Sequence, residues 1–159
     1  MPVGRICSRI VHLADIDESA ATAARRMAEK EVGTLIIVNE VKYPVGIVTD
    51  RDLTTRVLAK NRDARKTRLA TIMTATPKTV RETTPIEQAL ALMRAGGFRR
   101  LPVVDDAGKL IGIHSMDDVL ELLAEELQQI GGLLRGKKTA LGAAGRPRAL
   151  LTRAGTTRE

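Results

Sequence analysis

Two short segments carry most of the chemistry this chain can offer. Gly46-Ile47-Val48-Thr49-Asp50-Arg51-Asp52 and Gly112-Ile113-His114-Ser115-Met116-Asp117-Asp118 share one form: a glycine, two strand-type residues, a hydroxyl, two variable residues and a carboxylate. Thr49 with Asp52, and Ser115 with Asp118, stand three apart where a strand gives way to a helix. A helix N-terminus exposes unpaired N–H groups and a partial positive charge, which suits a phosphate. The hydroxyl there adds a further hydrogen bond. A carboxylate one turn on can accept both hydroxyls of a ribose, the role an acid plays in dinucleotide-binding folds. The same Thr/Ser-x-x-Asp spacing is also that of a helix capping box, so cap and ligand site stand as alternatives at both positions. Arg99 and Arg100 precede a strand, and alternation turns one of them toward the same region, where a guanidinium can meet a phosphate.

Other chemistries lack their residues. The sequence holds no nucleophile–base pair, no metal-ligand cluster and no Walker-type loop, so it offers neither catalytic nor metal-binding residues and does not read as an enzyme. Asp50, Asp52, Asp117 and Asp118 are of the type that holds Mg²⁺, but two acid pairs at helix starts are better explained by capping and by the helix dipole. His12 and His114 stand alone in their neighbourhoods, which favours structural roles. Cys7 is the single cysteine, which excludes an internal disulfide and an all-cysteine metal site and leaves a small apolar packing residue.

The elements that must position these residues come from an internal repeat. Slid against itself by 66 residues without a gap, the chain lays Ala23 and Met27 over Ala89 and Met93, Gly46 and Ile47 over Gly112 and Ile113, and Asp52 over Asp118. The spacing predicts helix, strand, strand, helix in each copy. In the first, Asp17 caps a helix over 20–27, strands follow over 34–38 and 45–48, and a helix closes the copy over 50–60. In the second, Thr84-Pro85-Ile86-Glu87 reads as a capping box with proline at the first helical position. Ile86, Ala89, Leu90 and Met93 then share one helical face. Strands follow over 101–104 and 109–113. A last helix starts near Ser115, with Val119, Leu122, Leu123, Leu127 and Ile130 turned inward. Residues 61–71 are polar and read as a linker.

The 159 residues, 43% hydrophobic and 28% charged, describe a globular chain with a core of Ile, Val, Leu, Met and Ala, because Tyr43 and Phe98 are its only aromatics. The formal net charge of +7 invites a nucleic-acid reading, but it is not spread evenly. Residues 131–159 hold seven basic groups against Glu159 alone, a net +6 that leaves +1 on the rest. That tail reads as a disordered basic extension, with salt-dependent contact to nucleic acid or an acidic partner as the sharper alternative. No apolar run reaches the ~20 residues that span a bilayer, and no secretory signal opens the chain. A cytoplasmic protein without membrane insertion is the expectation.

The repeated element order, the segment Arg99-Arg100-Leu101-Pro102-Val103-Val104-Asp105 and the two Gly-x-x-Thr/Ser-x-x-Asp segments together resemble a tandem pair of CBS domains, a Bateman module. The resemblance covers about residues 3–130. It implies an α/β (α+β) fold of two pseudo-symmetric repeats, each a small sheet flanked by helices, at 3–61 and 72–130, with the linker at 62–71 and the basic tail at 131–159. It also implies a regulatory ligand that contains adenosine (AMP, ADP, ATP, NAD or S-adenosylmethionine), bound in clefts between the repeats, with no catalytic cofactor. Thr49 and Ser115 would approach a phosphate, and Asp52 and Asp118 would hold ribose hydroxyls. Val11, His12 and Leu13 in one repeat, and Lys78, Thr79 and Val80 in the other, would border the adenine through backbone groups. Gly33 and Thr34, with Arg99 and Arg100, would line the same clefts. A homodimer, a separate regulated protein and a role in energy sensing are implied too. A ligand-independent dimerisation module is the alternative.

Overall fold

The computed structural model describes residues 1–143. The chain opens with a 3-10 turn, Val3–Arg5, followed by β1 (Leu13–Ala14), α1 (Ala20–Lys30), β2 (Thr34–Val38) and β3 (Pro44–Thr49). Next comes α2 (Asp50–Asp52), which widens into a π-helical turn, Leu53–Val57, and tightens to a 3-10 turn, Leu58–Lys60. The Thr54 and Thr55 hydroxyls donate to the carbonyls of Asp50 and Arg51 four residues back, a competition that bends helical ladders. The second repeat opens with its own 3-10 turn, Leu69–Thr71, then β4 (Thr74–Ala75), β5 (Val80–Arg81), α3 (Ile86–Gly96), β6 (Arg100–Val104), β7 (Leu110–Ser115) and α4 (Met116–Ala143).

Two small sheets result. In the first, β1 lies parallel to β2, and β2, β3 and β4 run antiparallel in that order. In the second, β5 lies parallel to β6, and β6 pairs antiparallel with β7. Both hairpins shift register at equivalent places, between Ile37 and Val38 and between Val103 and Val104. The apolar run in β2 reflects burial on both faces, since Leu35, Ile36 and Ile37 are almost wholly enclosed.

The repeats exchange their leading segments. β4 precedes the second hairpin in sequence yet adds to the first sheet, and Ser8 pairs with Ile113 at the edge of the second through two 2.9 Å backbone bonds. The Val3 and Gly4 N–H groups donate to Thr84 and Glu82 of the second repeat, and those of Leu69 and Ala70 donate to Glu18 and Ile16 of the first. Leu69 and Ile72 thereby sit in one buried cluster with Ala23, Met27, Leu35 and Val48. Met1–Leu120, which holds both sheets, forms one compact unit, and Glu121 onward forms a second.

Five expectations need correction. The cap of α1 is Ser19, whose hydroxyl accepts from Thr22 N–H, while Asp17 instead pairs with Arg68 at 2.7 Å. Thr84 does not cap α3: its hydroxyl accepts from Arg81 N–H, Pro85 takes the cap position, and the Ile86 N–H donates to Met1. Residues 61–71 are more than a linker, because Leu69 is fully buried and the carbonyls of Ala64 and Thr67 accept from the first N–H groups of α1. Helix α4 does not turn Leu123, Leu127 and Ile130 inward, since all three are more than half exposed. It also continues through residues 131–143, which were expected to be disordered, because Gly131 and Gly132 are followed by Leu133, Leu134 and Arg135, all good helix formers. Residues 144–159 of the basic tail lie outside the described residues.

If Leu69 closes the first repeat's core, Leu69→Ala should destabilise the protein by about 2–5 kcal/mol, the usual cost of a large-to-small core change. Chemical denaturation checks this, and a loss within about 0.5 kcal/mol, typical of an exposed position, would return the segment to a linker role.

Candidate functional site

The two hydroxyl–carboxylate pairs are built as caps. Thr49 ends β3 in extended backbone, its hydroxyl accepts from Asp52 N–H, and Asp52 Oδ2 accepts from Thr49 N–H at 2.9 Å and from Thr49 Oγ1 at 3.0 Å. Asp52 Oδ1 faces Arg56 at 3.3 Å, and Arg56 Nη1 in turn donates to the Ile72 carbonyl, tying this junction to the other repeat's leading segment. Ser115 and Asp118 repeat the pattern, with Asp118 Oδ2 accepting from Ser115 N–H at 2.6 Å and Ser115 Oγ from Asp118 N–H at 3.2 Å. The free helix N–H groups expected to meet a phosphate are largely taken. Asp50 N–H donates to Gly33, Arg51 N–H to Asp50 Oδ1, and Met116 N–H to Arg99.

Those caps face two clefts related by the same 66-residue offset. The larger, about 500 Å³, sets Thr49, Asp52 and Arg56 of the first repeat against Lys78, Arg99 and Arg100 of the second. The smaller, about 300 Å³, sets Ser115 and Asp118 of the second repeat against Val11, His12, Gly33 and Thr34 of the first. Each cleft thus joins the hydroxyl–carboxylate pair of one repeat to the approach segments of the other. The expected residues Leu13, Thr79 and Val80 lie off both linings. Leu13 and Val80 are committed to β1 and β5, and Val80 is buried.

The clefts differ in charge. The larger is lined by Arg51, Arg56, Lys78, Arg99 and Arg100 against Asp50 and Asp52, a net +3. Among the described residues, Arg51, Lys78 and Arg99 make no ion pair. The smaller sets Glu31, Asp117 and Asp118 against Arg100 alone, a net −2 before His12 is counted. The buried Thr34 hydroxyl on its wall has no hydrogen-bond partner among the described residues.

Backbone chemistry distinguishes the clefts further. In the first repeat, Ile36 N–H donates to the His12 carbonyl at 3.0 Å. Its counterpart in the second is Pro102, which has no N–H, so the equivalent bond to the Lys78 carbonyl cannot form. Phe98 and Arg56, both on the larger cleft, escaped the sequence reading. Phe98 could have been found as an aromatic directly before Arg99, and Arg56 as the residue one helical turn past Asp52.

His114 replaces the first repeat's Val48 and is fully buried. Its Nδ1 lies 3.5 Å from Asp118 Oδ2. Burial pushes the imidazole pKa below its ordinary value of 6.5, and the nearby Asp118 carboxylate only partly opposes that. Among the described residues no three His, Cys, Asp or Glu side chains group as they would around a metal ion. No described helix is long and apolar enough to cross a membrane.

Comparison with known proteins returns the same repeat. A model of the CBS domain matches residues 3–59 and again 69–125. An uncharacterized protein of Methanopyrus kandleri is 39% identical over 120 residues, 76% of this chain, and this chain spans 61% of that protein's length. Among solved structures, a CBS domain pair in complex with 5'-methylthioadenosine and S-adenosyl-L-methionine is 28% identical, with a TM-score of 0.71 over 79% of this chain and 98% of that one. CBSX2 in complex with AMP is 30% identical, with a TM-score of 0.66 over 78% of this chain and 96% of that one.

The buried imidazole gives a signed pH dependence. Its pKa is lower in the folded protein than in the unfolded chain, so between the two values the unfolded state binds more protons. Stability from this group is complete above about 6.5, the unfolded value, and is lost as pH falls below it toward the folded value. Denaturation midpoints taken from pH 7.5 to 5.5 should fall in the natural protein and fall less in His114→Val. Identical slopes in the two proteins would contradict this.

Proposed function

Given that this chain belongs to the CBS-domain family and carries two CBS domains in tandem, we propose that it is a regulatory module whose larger cleft binds a phosphate-bearing adenosine ligand and whose ligand state is read by a partner protein. The observation that carries this reading is the cationic wall of Lys78, Arg99, Arg100 and Arg51, three of which have no ion-pair partner among the described residues. Cations that outnumber the carboxylates beside them repel one another, and a phosphate relieves that repulsion through charge-assisted hydrogen bonds. AMP in the CBSX2 complex, and adenosine compounds in the other solved pair, support this ligand class.

The remaining lining fits the rest of such a molecule. Asp52 keeps Oδ2 in the cap and turns Oδ1 toward Arg56, and a carboxylate with about four acceptor sites has capacity left for ribose hydroxyls. The Lys78 carbonyl, without a donor from Pro102, can accept from an adenine amino group. Phe98 offers an aromatic surface at the same wall. The smaller cleft, net −2 and holding the unpartnered Thr34 hydroxyl, suits an adenosine compound without phosphate.

Binding in either cleft draws residues of both repeats onto one molecule. That supplies a route from ligand to partner, because a ligand shifts an equilibrium by its difference in affinity for the two states. No nucleophile or activated water is required, and the module is read as non-catalytic.

A thermal-shift and calorimetry series with AMP, ADP, ATP, adenosine and 5'-methylthioadenosine tests this. A ligand at 100 times its Kd should stabilise the protein by about 2.7 kcal/mol. AMP should bind more tightly than adenosine, and Arg99→Ala, Lys78→Ala or Asp52→Ala should each weaken AMP by roughly tenfold to a hundredfold, the worth of one charge-assisted bond. Equal affinity for adenosine and AMP, or loss of AMP binding in Asp118→Ala but not in Asp52→Ala, would place the ligand elsewhere. No response to any of these compounds would favour a ligand-independent module.

A further inference from the structure

Among the described residues, Arg100 alone lines both clefts. It opens β6 with Ser115 of β7 as its strand partner, which sets it on the wall the two clefts share. Its hold there is loose. Asp117 Oδ2 lies 3.9 Å from Arg100 Nη2, beyond hydrogen-bond distance, and no hydrogen bond among the described residues fixes this guanidinium. Arg56, also on the larger cleft, is the contrast, since it donates to the Ile72 carbonyl at 2.6 Å and faces Asp52 at 3.3 Å. The first repeat has Thr34 and Arg51 at the positions of Arg100 and Asp117, so it has no equivalent contact. On the basis that the larger cleft takes a phosphate, the reading argued above, we infer that Arg100 is a cation shared between the clefts. A phosphate in the larger one takes it from Asp117, and a positive group seated on Asp117 in the smaller one releases it to the phosphate.

Magnitudes favour the transfer. The Asp117 side chain is three-quarters exposed, and an ion pair in that setting contributes little. A phosphate offers the guanidinium two parallel charge-assisted hydrogen bonds, the stronger kind. Once Arg100 turns away, the smaller cleft keeps Glu31, Asp117 and Asp118 with no arginine against them, and its balance goes from −2 to −3. Coupling between binding sites is reciprocal. A positively charged occupant of the smaller cleft and a phosphate in the larger therefore raise each other's affinity, while phosphates in both oppose one another. Only side chains need to move, because the Ser115–Asp118 cap and the bond from Met116 N–H to the Arg99 carbonyl hold the backbone around Asp117. All these residues belong to the Met1–Leu120 unit.

A double-mutant cycle on the full chain, read by AMP calorimetry, tests the coupling. Asp117→Asn alters the opposite cleft yet releases Arg100, so AMP should bind about two- to fivefold more tightly, the worth of an exposed ion pair. Asp117 is mostly exposed and its side chain makes no cap bond, so this change leaves the fold intact. Arg100→Gln should weaken AMP, and adding Asp117→Asn to it should bring no further gain. The same gain in both backgrounds would show Asp117 acting on the phosphate directly through space. Unchanged or weaker AMP binding in Asp117→Asn, or undiminished binding in Arg100→Gln, would show that Arg100 is not shared. Each of these overturns the inference while leaving the larger cleft as the AMP site. Absence of AMP binding to the natural protein would instead defeat the reading of that cleft, and the coupling with it.

Discussion

Val3 is fully buried, with its N–H bonded to Thr84, and Leu69, its counterpart 66 residues on, is fully buried within the first repeat's core. Neither repeat holds all the parts of its own unit. The first sheet takes β4 from the second repeat, and the second takes its outermost pairing from Ser8. A small sheet of short strands is marginal by itself, and the exchange supplies each with an edge and a core plug that lie far away in sequence. Met1–Leu120 behaves as one unit for this reason. Gly112 records how close the exchange is, since a Cβ there would lie 2.8 Å from the Ser8 carbonyl oxygen.

The same exchange makes the clefts. Residues 74–78 and 8–12 must cross to the opposite sheet, so they pass the opposite repeat's strand-to-helix junction and border a cleft with it. The capping boxes at those junctions then serve two purposes. They fix the first turn of the helix, and they hold Asp52 and Asp118 at the cleft margin with one carboxylate oxygen already anchored. Symmetry of fold does not extend to charge. Where the second repeat has Arg99 and Arg100, the first has Gly33 and Thr34, and where the first has Arg51, the second has Asp117. Two substitution patterns on one scaffold yield a basic cleft and an acidic one.

Much of this was legible in the residues. The 66-residue offset, the paired Thr/Ser-x-x-Asp segments and the apolar faces of α1 and α3 were read directly, and they located the four hairpin strands to within a residue or two, though not the two-residue strands β1, β4 and β5. The exchange was not legible, because Ser8 and Thr74 have the same local pattern whichever hairpin they join, and only packing chooses between them. Leu69 was hidden in a polar run, where a single apolar residue carries no periodicity. Thr84 was misread because a hydroxyl followed by proline satisfies the cap pattern, although here it closes the turn at Arg81. The residues on the second half of α4 kept helical spacing, but spacing cannot tell a seam facing its own core from one facing outward. At the clefts the hydroxyl–carboxylate pairs and the segments around Val11, Gly33, Lys78 and Arg99 were all legible, but which segments of one repeat face which pair of the other was not.

The central claim is that the basic cleft is one site made by both repeats, and backbone amide shifts during an AMP titration test it most directly. The account expects resonances from residues 49–56 and from 76–78 and 97–100 to move together along one binding curve, while those of 31–34 and 115–118 lag behind. Movement confined to one repeat, or earlier movement around Ser115 and Asp118, would contradict it.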